Sequence, residues 1–181
     1  MAAPIAVLSG SGGGGGFWRR IPDNPTNLVR MKIAEPLARA RAPSRVDFGL
    51  DRVPDIARRF GLKVFLGLWV SNNPDRTRLQ IDTGIALARR FPDVIRGVIV
   101  GNEVLLRGEM TPEALAGVLA HARRHSEVPV SYADVWEFWL RHAPALRSQV
   151  DVATVHILPY WEDDPVGAPQ AADHVRGVLQ Q

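Results

Sequence analysis

"VIVGNEVLLRGE", Val98 to Glu109, runs as an apolar stretch and then sets Asn102 and Glu103 side by side where the stretch stops. With Asp93–Gly97 before it, this reads as a β-strand buried on both faces, the pattern of a central strand in a parallel sheet. The polar tip poses a choice. Glu103 is either a catalytic carboxylate at a strand end or a structural one, bonded to neighbouring backbone or paired with Arg107.

Outward from this strand the pattern alternates. Leu50, Val53, Ile56, Ala57 and Phe60 recur at helical spacing, and Gly61 follows where a left-handed stop is wanted. "LKVFLGLWV", Leu62 to Val70, is a second continuous apolar run and a second buried strand. "SNNPD" turns the chain into a helix whose inner face is expected from Ile81, Ile85 and Ala88 with Leu79. Beyond Glu103, Thr111 caps a helix with Pro112 at its first position, and Leu115, Val118, Leu119 and Ala122 form its stripe. "VPVSYAD" is a shorter strand, "VWEFWLRHAPAL" is helical, "DVATVHILPY" is a fourth strand, and Ala171 to Leu179 begins a last helix.

Residues 1–46 follow a different grammar. "SGSGGGGG" is a flexible spacer by composition, and the proline- and arginine-rich stretch after it has no sustained period, although Leu28, Met31 and Ile33 hint at a short strand or helix. This segment reads as a disordered or aberrant leader, with residues 47–181 as the folded unit. It also distorts the charge. Seven Lys/Arg against two Asp/Glu fall in the leader, and fifteen against seventeen in the rest. The folded part is therefore slightly acidic, and the net charge of +3 is no argument for a nucleic-acid partner. Twenty of the 22 basic residues are Arg, as a GC-rich coding sequence produces.

Without cysteine there is no thiolate nucleophile or thiolate metal site. No metal site and no cofactor is expected. Gly12 to Gly16 lack the strand and the Lys-Ser or Lys-Thr of a phosphate-binding loop. No apolar run approaches the roughly 18 residues of a membrane span, and the N terminus lacks the early positive charge of a secretory signal.

Four strands each followed by a helix imply parallel, right-handed crossovers. A flavodoxin-like open sheet fits that count, but Trp69, Asn102 with Glu103, Tyr132 with Asp134, and His156 with Tyr160 all fall at the C-terminal ends of strands. That clustering favours a (β/α)8 barrel, whose sites are built on that face. Such a barrel takes about 250 residues, so the expected α/β fold is a partial TIM barrel.

"GLDRVPDIARRFGLKVFLGLWV", "VIVGNEVLLRGEMTPEAL", "PVSYADVWEFWL" and "VDVATVHILPYWEDDP" together resemble the bacterial branch of glycoside hydrolase family 17, the β-1,3-glucanase and β-glucan transglycosylase family. The resemblance runs from about Phe48 to the C terminus. It implies a (β/α)8 barrel of retaining glycosidases, in which these four strands are the third to sixth. It further implies Glu103 as general acid/base, Asn102 as a contact to the sugar beside the scissile bond, β-glucan oligosaccharide or polysaccharide as partner, and a secreted or cell-envelope setting. Two departures accompany it. The first two barrel strands should precede Phe48 and are not evident in the leader. The family's nucleophile is a second glutamate in a "GETGWP"-like motif ending the seventh strand, and this sequence stops at Gln181, before such a motif.

Retaining cleavage needs two carboxyl groups about 5–5.5 Å apart, one protonating the leaving oxygen and one attacking the anomeric carbon. Glu103 cannot do both. Glu109 lies on a helix lead-in, Glu137 within a helix, and Glu162, Asp163 and Asp164 in a run of acids typical of a solvated loop, so none is expected to replace the nucleophile. Those three acids lack the alternating ligand spacing of a calcium loop. Trp69, Tyr132, Tyr160 and Trp161 are candidates to stack on glucose rings, whose C–H faces pack on aromatic planes. Trp136, Phe138 and Trp139 read as core. His156 is expected to bond either a substrate hydroxyl or Glu103, or to be a satisfied buried histidine.

Three readings follow. One is a β-glucan hydrolase or glucanosyltransferase; one is a truncated, non-catalytic product that at most binds glucan weakly; one is an unrelated open α/β binding module. Half a parallel barrel also leaves strand edges through which copies of the chain could associate.

Overall fold

The computed structural model describes residues 6–8, 28–32, 52–161 and 165–181. In chain order its elements are β1 (Ala6–Leu8), β2 (Leu28–Lys32), α1 (Val53–Arg59), β3 (Lys63–Leu68), α2 (Pro74–Arg90), β4 (Ile95–Asn102), α3 (Pro112–His125), β5 (Val130–Val135), α4 (Trp136–Leu146), β6 (Val152–His156) and α5 (Ala171–Leu179). Short 3₁₀ turns cover Arg147–Gln149 and Ala168–Gln170. The strands form one sheet in the order β1-β6-β5-β4-β3-β2.

From β2 to β6 every pairing is parallel, with helices in the crossovers, while β1 lies antiparallel on β6. The fold is thus the expected α/β alternation, an open portion of a barrel. Strand β2 corrects the expectation that none precedes Phe48: Leu28 pairs with Lys63 and Lys32 with Gly67. Leu28 and Met31 hint at a short strand or helix, and backbone pairing with β3 decides for the strand. Both β1 and β2 belong to the 1–46 segment. The rest of that segment, with Leu50 and the acids Glu162, Asp163 and Asp164, lies outside the described residues.

The core lies between the sheet and the helices. Val64, Leu66 and Leu68 of β3, Val98 and Val100 of β4, and Leu115, Leu119 and Ala122 of α3 are all buried. Each such leucine contributes about 1.5–3 kcal/mol through removal from water. Helix starts follow local chemistry. Asn73 accepts from the Arg76 amide at 2.9 Å before Pro74, and Thr111 accepts from the Ala114 amide at 3.2 Å before Pro112. Gly61 takes φ +65° after α1, the conformation of a helix stop. On α2 the expectation fails at one position. Leu79 is exposed, and Gln80 is buried in its stead, because the inward stripe runs through Thr77, Gln80, Ile81, Gly84, Ile85 and Ala88. Leu79 is one residue, about 100°, away from that stripe.

The β4–β5 register slips between Ile99 and Asn102, so β4 carries one extra residue there. Gly101 sits in this bulge at φ +87°. A Cβ on it would lie 2.8 Å from Val104 Cγ2 and 3.3 Å from the Tyr132 ring. Gly101→Ala is therefore expected to lower unfolding free energy by about 2–4 kcal/mol, from combined backbone strain and overpacking. Urea denaturation tests it, and a loss within about 0.5 kcal/mol of zero is the contrary result.

Candidate active site

The tips of β3 to β6 share one end of the sheet. The bulge at Gly101 delivers Asn102 and Glu103 there, and Glu103 itself has φ 57°, a left-handed conformation that costs a residue with a Cβ about 1–3 kcal/mol. Its backbone is held on both sides. The Glu103 amide donates to Ala133 O at 2.8 Å, and its carbonyl accepts from the Arg107 amide at 2.9 Å.

The side chain reaches across β5. Glu103 Oε1 lies 2.6 Å from His156 Nδ1, a hydrogen bond, and the imidazole is buried while the carboxyl keeps 28% of its surface exposed. Ser131 and Thr154 meet through their hydroxyls at 2.7 Å, which puts both on one face of the sheet. Two residues further along each strand, Ala133 and His156 lie on that same face. The methyl of Ala133 leaves the space over β5 through which β4 and β6 make contact. A partly open carboxyl hydrogen-bonded to a buried imidazole is fixed in direction while one side of it stays accessible to a ligand.

Tyr132 and Asp134 point to the other face, toward α4. The Tyr132 ring packs on Trp139, with centroids 5.6 Å apart, and both Tyr132 and Asp134 are fully buried. The Tyr132 hydroxyl donates to Asp134 Oδ2, while the Leu105 amide donates to the Tyr132 oxygen at 3.2 Å and to Asp134 Oδ2 at 3.3 Å. Val135 N donates to Asp134 Oδ1 at 2.8 Å. This corrects the reading of Tyr132 as a sugar platform: its ring has no exposed face. It looked like a platform because strand alternation alone does not say which face of the sheet the helices cover.

Arg107 braces the neighbouring tips. It donates to Asn102 O, to Val70 O at 3.0 Å and to Glu109 Oε2 at 2.8 Å, and its guanidinium lies 4.5 Å over the Trp69 ring. Such a stack contributes about 0.5–2 kcal/mol. Arg107 thus pairs with Glu109, and Glu103 pairs with His156. The side chain of Glu109 is thereby committed, and Glu137 is exposed on α4. Half-buried Trp69 borders a cleft of about 450 Å³ with Ser71, Asn72, Asn73, Arg76, Gln80 and Glu109. Tyr160 and Trp161 follow β6 and are 63% and 85% exposed, so they stand apart from the packed cluster with their rings open. Of the helical aromatics, Trp139 is buried and Trp136 and Phe138 pack against the core.

Sequence reasoning missed the Arg107 brace and the Asp134 support. The available signal was an arginine inside the otherwise apolar "VLLRG" and an aspartate alternating with a tyrosine on a strand. Among the described residues no group of three or more His, Asp or Glu converges as a metal site, and no helix is long and apolar enough to cross a membrane.

With this geometry in place, the comparisons are specific. The BtgE/BtgC glycoside hydrolase domain matches residues 44–181. The chain belongs to that family of glycoside hydrolases. It is 25% identical over 137 residues to the probable beta-glucosidase btgE of Aspergillus flavus, covering 73% of this chain and 22% of that protein. It is 27% identical over 136 residues to the probable glucan endo-1,3-beta-glucosidase btgC of Aspergillus clavatus, covering 62% of this chain and 20% of that protein. The chain therefore spans about a fifth of the length of these relatives. The glycoside hydrolase family 17 beta-1,3-glucanosyltransferase of Rhizomucor miehei shares the fold, with a TM-score of 0.62, 24% identity, and coverage of 85% of this chain and 53% of that one. An active-site mutant of the same enzyme, equally similar, is known in complex with laminaritriose.

Burial pushes the Asp134 carboxyl above its ordinary value of 3.8, and the Glu103 charge adds to the rise against the hydrogen bonds from Tyr132, Val135 and Leu105. Burial, and then the Asp134 charge, likewise pushes the Tyr132 hydroxyl up. For Asp134 the neutral form is favoured by the fold, so its stabilising contribution is complete below the unfolded value and is lost as pH rises through the folded one. Asp134→Asn, which cannot ionise, is therefore expected to gain stability relative to the parent between about pH 4 and about pH 7. Urea midpoints at the two pH values measure this; a difference that stays flat or reverses refutes it.

Proposed function

We propose that the chain acts on β-1,3-glucan through a family 17-type site, with Glu103 as the acid/base and Asn102 beside it as a contact to the substrate. The observation that carries this reading is the partly open Glu103 carboxyl, 2.6 Å from buried His156 at the C-terminal tips of the parallel strands. His156 orients the carboxyl through this hydrogen bond. Trp69 at the cleft and the open rings of Tyr160 and Trp161 are the stacking surfaces for glucosyl units. Residues 47–181 carry the glycosidase-type site, and β1 and β2 of the preceding segment extend its sheet at both edges.

One specific observation favours binding without turnover by these 181 residues on their own. Retaining cleavage needs a second carboxylate about 5–5.5 Å from the first. Glu109 is tied to Arg107, Asp134 is buried on the helix side of the sheet, and Glu137 faces solvent. Among the described residues, none of these three is free to attack an anomeric carbon at Glu103. Where a nucleophile is supplied, the choice between hydrolysis and transfer rests with the acceptor.

The test is calorimetric titration with laminaritriose, alongside an assay of reducing ends released from laminarin. Saturable binding is expected, weakened about tenfold or more in Trp69→Ala, with no sugar released. Absence of binding refutes the glucan reading. Laminarin cleavage that disappears in Glu103→Gln refutes the assignment of binding without turnover.

A further inference from the structure

Glu103 holds a left-handed backbone at the end of a bulged strand, and a residue in that conformation persists only where its surroundings over-determine it. The restraints converge from β5. Two residues before Glu103, Gly101 lies against the Tyr132 ring so closely that an added Cβ would come within 3.3 Å of it. Two residues after it, the Leu105 amide divides its hydrogen bond between the Tyr132 hydroxyl and Asp134 Oδ2. One buried pair therefore clamps the chain on both sides of Glu103. A buried carboxylate is costly unless fully hydrogen-bonded, and Asp134 accepts from Tyr132, Leu105 and Val135. A core built only for stability would place apolar groups there at less cost.

We propose that Tyr132 and Asp134 are positioning residues for Glu103, fixing the turn from Gly101 to Leu105 so that the Glu103 carboxyl stays on His156 and partly open to solvent. Neither touches substrate, since both are fully buried behind the sheet. The proposal rests on the reading of Glu103 as the proton donor, but its structural content is independent of which sugar binds. Loss of the Tyr132 hydroxyl removes an acceptor from the Leu105 amide and a donor from Asp134. The turn then relaxes, and the Glu103 carboxyl leaves the imidazole.

The experiment reads the ¹⁵N resonance of His156 Nδ1 in the full chain, with Glu103→Ala as the reference for a broken Glu103–His156 contact. Tyr132→Phe and Asp134→Asn are compared with Leu146→Ala, a destabilising cavity variant at the far end of α4 where the chain enters β6. The expected result is that Tyr132→Phe and Asp134→Asn shift the resonance at least halfway to the reference, with Leu105 amide exchange accelerated about tenfold or more, while Leu146→Ala leaves both unchanged. A wild-type His156 resonance in Tyr132→Phe and Asp134→Asn overturns the proposal. So does an equal shift in Leu146→Ala, or failure of both pair variants to fold, since either makes the pair a general core element. Laminaritriose titration of the wild type separates the two ideas: without binding, the glucan reading falls while the His156 comparison still decides the positioning role.

Discussion

The site depends on the backbone reversal at the end of β4. A strand that continued in regular register would carry Glu103 along the pleat, parallel to its neighbours. Instead the extra residue at Gly101 and the left-handed Glu103 turn the chain across the sheet, and the carboxyl meets His156 two strands away. The separation of β4 from β6, about 10 Å across two interstrand spacings, is too wide for a side chain held perpendicular to the sheet. The contact exists because the backbone bends and because β5 offers only Ala133 beneath it.

That bend is strained, and the molecule holds it from two directions. On the helix side, Tyr132 and Asp134 anchor the residues flanking Glu103. On the cleft side, Arg107 binds Asn102 O and Val70 O, joining the tips of β4 and β3, and covers Trp69. The two supports differ in kind. The first is fully buried and made of directional hydrogen bonds, which confers precision; the second is partly exposed and ionic, which tolerates movement of the loop beside the cleft.

Glu103 and the side chains that orient it come from the neighbouring strands β4, β5 and β6, so they form a self-supporting group. Nucleophilic attack requires a second carboxylate set at a fixed distance, whereas Glu109 is tied to Arg107 and Asp134 is buried on the helix side of the sheet. Holding the Glu103 carboxyl on His156 is therefore a property of these strands that does not depend on a second carboxylate.

Much of this was legible in the sequence. Continuous apolar runs alternating with helical stripes determined β3 to β6 and the helices between them, because burial on both faces leaves a pattern that local composition carries. Polar residues at strand ends marked Asn102, Glu103 and His156. The sequence could not assign faces: Tyr132 and His156 are both strand-end aromatics, yet one is sealed under α4 and the other lies behind the candidate catalytic carboxyl, a difference set by strand register and by the helix that covers one side. Nor could it choose partners. Arg107 is four residues from Glu103 and two from Glu109, and only the turn at Gly101–Glu103 sends one carboxyl to His156 and leaves the arginine to the other. Strand β2 shows the same limit, since Leu28 and Met31 only hint at a strand or helix and the pairing with β3 decides which. Periodicity reports which residues are buried; pairing and orientation are properties of the assembled sheet.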